Sequence, residues 1–290
     1  MSAATPIRIR LDVAYDGTGF SGWARQPRLR TVQGVLEDAL ATLFRRTPPA
    51  PTLVVAGRTD AGVHAADQVV HLDLDHDQVN ALRNVRLPQG APPDAGAALA
   101  YRLNGILGSN TDVVVKRGCV APEGFDARFS AVWRRYEYRV SDRIDTRDPG
   151  QRHRTVWWPT PLDADAMHRG AQSLLGLHDF AAYCKPREGA TTIRTLQNFG
   201  WRRDEAGVLI ASLQADAFCH SMVRALVGGC VAVGEGKLEA SDLALILEVG
   251  ARTSAFKVMP AKGLTLTEVG YPPDDELGAR AEATRARREL

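Results

Sequence analysis

From Ile7 to Tyr15 the chain alternates without a break, with Ile7, Ile9, Leu11, Val13 and Tyr15 on one side and Arg8, Arg10 and Asp12 on the other. A two-residue period is that of an extended strand. Charges on its second side mark a sheet with one face on a core and one toward water, the antiparallel habit. Gly17, Gly19 and Gly22 close the segment. Near Thr31 the period lengthens to that of a helix, because Val32, Val35, Leu36, Ala39, Leu40, Leu43 and Phe44 share one stripe, which Pro48 and Pro49 end. Leu53–Ala56 and Val69–Leu74 then read as strands joined by a polar loop containing glycines.

Residues 76–96, rich first in Asp and then in Pro, Gly and Ala, read as a surface insertion with no element of its own. Asp73, Asp75 and Asp77 have the spacing of a calcium loop, but Gln78 stands where that loop needs glycine and Asn84 where it needs glutamate, which rules it out. Val113–Val115 and Val132–Val140 are expected strands, with a domain boundary between them near Lys116. Asp163 is placed to cap a helix carrying Met167, Ala171, Leu174 and Leu175 and closed by Gly176. Phe199–Arg203 and Val208–Gln214 read as a hairpin. Helices follow at Cys219–Val233 and Ser241–Val249, then a last strand at Leu264–Val269. The sum is α+β: an N-terminal domain over residues 1–115, a second over 116–272, and a polar tail over 273–290 expected to be disordered.

Two cores are affordable in 290 residues that are 44% hydrophobic and 24% charged. The net charge is only +2, from 36 basic and 34 acidic residues, so bulk charge does not announce a nucleic-acid binder. Five of the basic residues are Lys and the rest Arg, the planar, bidentate partner of phosphate, although a GC-rich genome explains the same excess. The longest weakly polar run, residues 225–234, is too short for a membrane helix, and Met1–Pro6 lacks the layout of a signal peptide, so a cytoplasmic protein is expected. Cys119, Cys184, Cys219 and Cys230 form no C-x-x-C pair, and no H-E-x-x-H or G-x-S-x-G string occurs. Zinc ribbons, zincins and the common serine hydrolases lose their sequence support, and the thiols are expected at core or neutral positions.

Between two strands lies "AGRTDAGVHA", residues 56–65, which packs Asp60 beside Arg58 between Gly57 and Gly62. Glycines permit sharp turns, and a nearby guanidinium favours an ionised carboxylate, the form a nucleophile or general base requires. Spacing alone favours the plainer reading, a surface turn with a routine ion pair. A different string, "GTGFSG" at 17–22, matches a dinucleotide fingerprint after a strand, with Glu37 or Asp38 at the right distance. Its context argues against an oxidoreductase: Pro27 interrupts the segment and helical periodicity waits until Thr31, too late for a helix N-terminus to meet a pyrophosphate.

The nine residues "GRTDAGVHA" resemble the catalytic motif of the tRNA pseudouridine synthase A family. "YDGTGFSGWARQ" at 15–26, "FDARFSA" then "RRYEY" at 125–138, "LLGLHDFAAY" at 174–183, "AFCHSMVRALVGG" at 217–229 and "KGLTLTEVGY" at 262–271 resemble its other segments in order and spacing. The resemblance covers residues 7 to about 271. It implies two ferredoxin-like or RRM-like halves with mainly antiparallel sheets flanking a central cleft. It also implies a cofactor-free and metal-free isomerase, and a homodimer that binds tRNA and acts on uridines 38, 39 and 40 of the anticodon stem-loop. By the same resemblance Asp60 is the nucleophile that starts breakage of the glycosidic bond, Arg58 lies beside the flipped nucleotide, Tyr136 faces the uracil and Arg224 pairs with Asp60. Extruding the base is what chemistry within a paired stem demands, and an aromatic ring offers it a stacking surface.

Each role has a plainer competitor. Tyr136 is also one more residue of an alternating strand, and His64 and His220 read as structural. Arg224 is a charge in an otherwise apolar helix, which calls for a partner. Eight arginines against four acids over 128–154, including Arg128 and Arg135, together with Arg25, Arg28 and Arg30, form a candidate phosphate-tracking stripe flanked by Tyr136, Trp157 and Trp158. A solvated charged edge has the same composition. A non-catalytic RNA-binding module is the remaining alternative, and it has no need of an ionised Asp60. Departures from the family pattern are Ala24 in place of Gln and "NGILGSNTDV" at 104–113.

Overall fold

The computed structural model describes residues 5–83, 85, 94–186, 189 and 191–285. They divide into two compact units. The first holds residues up to Ala61, Ala65–Val132 and the segment from Val269 onward; the second holds Gly62–His64 and Trp133–Glu268.

In the first unit the opening alternation becomes β1 (Ile7–Tyr15), whose Ile9, Leu11, Val13 and Tyr15 are buried while the charged side stays partly exposed. Helix α1 (Val32–Leu43) starts where the side-chain oxygen of Thr31 accepts the Gly34 N–H, and it buries Val32, Leu36, Ala39 and Leu40. The strands β2 (Val54–Val55), β3 (His64–Leu74) and β4 (Val113–Val120) complete a sheet ordered β4-β1-β3-β2. Every neighbouring pair is antiparallel, with Leu11 opposite Val70 on one side and Gly118 on the other.

Three expectations fail in this unit. The 76–96 insertion contains α2 (His76–Leu82) and the start of α3 (Ala95–Leu107), its residues 84 and 86–93 lying outside the described set. Asp75 closes a capping box with Gln78, Asp94 caps α3, and Asp73 pairs with Arg8 rather than serving a calcium loop. Helix α3 escapes a periodicity reading because its buried face is small, Gly96, Ala98 and Ala100 beside Leu99 and Leu103. The boundary near Lys116 is also displaced: Lys116 sits inside β4, which pairs along β1, and the unit ends at Val132. The tail is likewise ordered over Leu277–Arg285 as α7. Leu277 and Ala281 are buried, Ser130 Oγ donates to the Leu277 carbonyl (3.1 Å), and Arg285 pairs with Asp126 (2.8 Å).

The second unit contains β5 (Trp133–Ser141), β6 (Val156–Trp157), α4 (Ala164–Gln172), β7 (Gly176–Asp179), β8 (Ile193–Arg203), β9 (Leu209–Ala215), α5 (Met222–Gly234), α6 (Ala240–Val249) and β10 (Leu264–Gly270) up to its Glu268. The order is β10-β5-β9-β8-β7, with β6 parallel to the end of β5. Asp163 caps α4 as expected, and β8 and β9 form the expected hairpin. The run β5-α4-β8-β9-α5-β10 gives the order β10-β5-β9-β8. That is the wiring of β1-α1-β2-β3-α3-β4 in the first unit, so both halves are ferredoxin-like. Two of the four thiols are not neutral bystanders. Cys184 and Cys219 are joined as a disulfide, while Cys119 and Cys230 are free. Among the described residues no helix is long and apolar enough to cross a membrane.

Candidate active site

The connection from β2 to β3 carries Arg58 and Asp60, and its backbone is held at several points. Ala56 donates its N–H to the Val69 carbonyl at 2.9 Å. Gln68, fully buried in β3, sends its amide to the Gly57 carbonyl at 2.8 Å and to the Tyr15 hydroxyl at 3.4 Å. The Tyr15 and Thr59 hydroxyls share a hydrogen bond of 2.8 Å. Burial pushes the Tyr15 phenol up to about 12, which keeps it a neutral partner. From the other side the Trp23 N–H donates to the Thr59 carbonyl at 3.0 Å. Thr59 is therefore buried, Asp60 next to it is half-buried, and Arg58 is exposed.

Gly22 explains the glycine-rich string at 17–22. Its φ is +96°, and a Cβ there would stand 3.1 Å from the Thr59 carbonyl and 3.3 Å from the Ala61 N. A side chain would push the loop away on both sides of Asp60. Asp16 caps a 3-10 turn at Gly17–Gly19, and α1 begins only at Val32, where the N–H groups of Val32 and Gln33 donate to the Gly22 and Trp23 carbonyls at 3.2 and 3.0 Å, so this helix N-terminus is occupied by protein backbone rather than open to a pyrophosphate. The dinucleotide reading loses its required geometry, because the string serves as a backbone support for the Asp60 loop.

Where the loop rejoins β3, His64 is buried with its Nε2 3.1 Å from the carbonyl oxygens of both His153 and Lys262. Two acceptors require that nitrogen to carry the proton.

Tyr136 and Arg224 lie in the second unit. Tyr136 stands on β5 opposite Leu213, 8% exposed, and meets the Phe218 ring edge-on with centroids 5.1 Å apart. Arg224 is the third residue of α5, and its Nε donates to the Met259 carbonyl at 2.6 Å while the Met259 N–H returns a bond to the Arg224 carbonyl at 3.1 Å. Tyr138, two residues beyond Tyr136, donates to the Pro260 carbonyl at 2.6 Å. Burial raises its phenol strongly, against a smaller lowering by the Arg224 charge.

The other arginines are engaged. Arg25 bonds Asp38 at 2.8 Å and lies 3.6 Å from Glu37. Arg135 binds Gln214 and Glu268 and stacks 4.7 Å over Trp133, while Arg128 lies 5.1 Å over the Phe129 ring. Exposed ion pairs such as these are weak and screened by solvent, so a phosphate group can compete for the same guanidinium.

Arg58 and Asp60 thus share one loop of the first unit, and Tyr136 on β5 and Arg224 on α5 both belong to the second. Sequence reasoning missed Tyr15, Thr59, Gln68 and Phe218. Only Gln68, a buried amide within an apolar strand, left a readable signal. Among the described residues no group of three or more His, Cys, Asp or Glu side chains is gathered to hold a metal ion.

A family model described as tRNA pseudouridine synthase matches residues 171–272. The tRNA pseudouridine synthase A of Leifsonia xyli subsp. xyli is 66% identical over 98% of this chain and 98% of its own length. The proteins of the same name from Frankia casuarinae and Streptomyces griseus subsp. griseus are 52% and 50% identical, over 97% and 98% of this chain and 95% of each relative. A solved 3-hydroxy-3-methylglutaryl-coenzyme A reductase of Streptococcus pneumoniae aligns with a TM-score of 0.21 at 13% identity, over 86% of this chain and 69% of that one, and carries no argument.

Proposed function

This chain belongs to the tRNA pseudouridine synthase A family, and from that premise we propose that it isomerises uridines 38, 39 and 40 of the tRNA anticodon stem-loop to pseudouridine with Asp60 as nucleophile. The observation that carries the assignment of Asp60 is the support of its loop. Tyr15, Gln68 and Trp23 hold Gly57 and Thr59 by hydrogen bonds, and Gly22 leaves room for the backbone of Thr59 and Ala61, while Asp60 stays half-buried. A surface turn with a routine ion pair has no need of buried hydroxyl and amide anchors beneath it.

The carboxylate adds either to the uracil ring or to the sugar C1′. By either route the N-glycosidic bond breaks, the base turns, and a C5–C1′ bond replaces it. Arg58 lies beside the extruded nucleotide, Tyr136 faces the uracil, and Arg224 belongs to the substrate-binding set. Arg25, Arg128 and Arg135 contact phosphates, and the chain works as a cytoplasmic homodimer without metal or cofactor.

Pseudouridine mapping on an anticodon-arm RNA tests the positions directly. Product is expected at 38–40 and lost site by site when each uridine is replaced by cytidine. Product elsewhere in the arm contradicts the assignment. For the RNA contacts, Arg128→Ala combined with Arg135→Ala is expected to raise the dissociation constant and flatten its salt dependence by about two counterions. An unchanged slope removes these two residues from the interface.

A further inference from the structure

Cys184 and Cys219 stand 35 residues apart in sequence with Cα atoms 5.8 Å apart, a separation at which a disulfide closes without backbone movement. Their neighbourhood makes the bond consequential. Cys219 follows Phe218, whose ring meets Tyr136 edge-on, and it precedes the turn through Ser221 (φ 63°) from which α5 and Arg224 begin. Cys184 follows Tyr183, which stacks on Phe256 at 5.4 Å and donates its hydroxyl to the Leu243 carbonyl at 2.9 Å, so one end of the bond is anchored in the core. Between the two segments the Lys185 N–H also donates to the His220 carbonyl at 2.9 Å. Cys184 is 2% exposed, whereas Cys219 is partly exposed and offers the sulfur that an outside reagent meets first.

We propose that Cys184 and Cys219 form a reversible dithiol–disulfide site whose oxidised state fixes the Phe218 segment beside Tyr136. In a reducing compartment such a pair is open by default, and intracellular disulfides are commonly transient and redox-sensing. The oxidant is a low-molecular-weight disulfide. The Cys219 thiolate attacks one of its sulfurs and expels one small thiolate, giving a mixed disulfide. The Cys184 thiolate then attacks the Cys219 sulfur, the second small thiol departs, and the two protons from the protein thiols end on the two released molecules. A small dithiol reverses both steps. Cys230 takes no part, because burial pushes its thiol up to about 12.

The effect on turnover rests on the proposed role of Tyr136; the effect on the segment does not. The full chain is equilibrated with oxidised or reduced glutathione, then denatured and alkylated, with hydrogen exchange of residues 217–224 and the KM for anticodon-arm RNA measured in parallel. Two alkylated thiols are expected in the oxidised sample and all four in the reduced one. Exchange at 217–221 slows about tenfold on oxidation, and KM falls about threefold as the segment is pre-ordered. Cys184→Ser, and the partly exposed Cys219→Ser as a guard against misfolding at the buried position, remain insensitive to glutathione and match the reduced wild type. Four alkylated thiols under oxidising conditions, or exchange that ignores the redox state, overturn the proposal. If thiol count and exchange respond while neither state makes pseudouridine, the proposed function fails and the redox site stands.

Discussion

The two halves share one wiring and use the same connection differently. In the second half the hairpin from β8 to β9 turns through Asp204–Val208. Asp204 and Val208 bond backbone to backbone at 2.9 Å, the Asp204 carboxylate takes the Val208 N–H, and Gly207 at φ +78° completes the turn. In the first half the equivalent passage from β2 to β3 is lengthened into residues 56–63 and carries Asp60. A tight turn satisfies its own backbone. The longer loop cannot, and it borrows anchors from Tyr15, Gln68, Trp23 and the bare backbone at Gly22. A repeated scaffold thus holds the proposed nucleophile where one hairpin gives up local closure and is rigidified from beneath.

This contrast is breakable. Gly22→Val is expected to have the largest effect, costing about 2–3 kcal/mol through its positive φ and the Thr59 contact and lowering kcat more than a hundredfold as Asp60 is displaced. Denaturant titration and single-turnover assays separate the two losses. Tyr15→Phe removes the hydroxyl that meets Thr59 and is expected to cost about 1–2 kcal/mol, with kcat reduced about tenfold and KM little changed. Gly207→Ala, at the matching connection, is expected to lose about 1 kcal/mol with turnover untouched. A loss of activity at Gly207 as large as at Gly22 erases the distinction between the two hairpins.

The smallest effect is in acid. His71, in the first half, accepts the Ala127 N–H on Nδ1, and burial, with the Arg8 charge, lowers its pKa below 6.5. Its contribution to stability is complete above that value and is lost as pH falls through it toward the lowered pKa. Asp142, in the second half, is buried, which alone raises its pKa, but Arg203 and the Leu162 N–H outweigh burial and hold it below 3.8. That stability is present above the ordinary aspartate value and goes only in stronger acid. Protection factors, with the intrinsic slowing of exchange in acid divided out, are expected to fall in β1 before β5 as pH is lowered from 7. His71→Asn removes the earlier step.

Legibility followed the size of the signal. β1, α1 and the β8–β9 hairpin announce themselves through large side chains at regular spacing. Helix α3 was invisible because alanine and glycine fill its buried face, and α7 because only Leu277 and Ala281 reach the core. The boundary at Lys116 failed since a strand that pairs with β1 cannot open a new unit. In the candidate site, the motif exposes Asp60 and Arg58 to reading, but the anchors come from β1 and β3, where Tyr15 looks like an ordinary strand position and Gln68 shows only as one amide beside an apolar run. Contacts made by distant segments leave no local period, and the same holds for Cys184 and Cys219.

In the proposed function the longer hairpin exists to present one carboxylate, that of Asp60. Asp60→Asn keeps the side chain's shape and removes its charge, so quantitative pseudouridine mapping on anticodon-arm RNA, paired with an affinity measurement on the same RNA, reads the claim directly. No product above background, with a dissociation constant within about twofold of wild type, is the predicted result. Product formed by the variant at more than about a tenth of the wild-type rate contradicts the account, because the carboxylate would then not be the nucleophile.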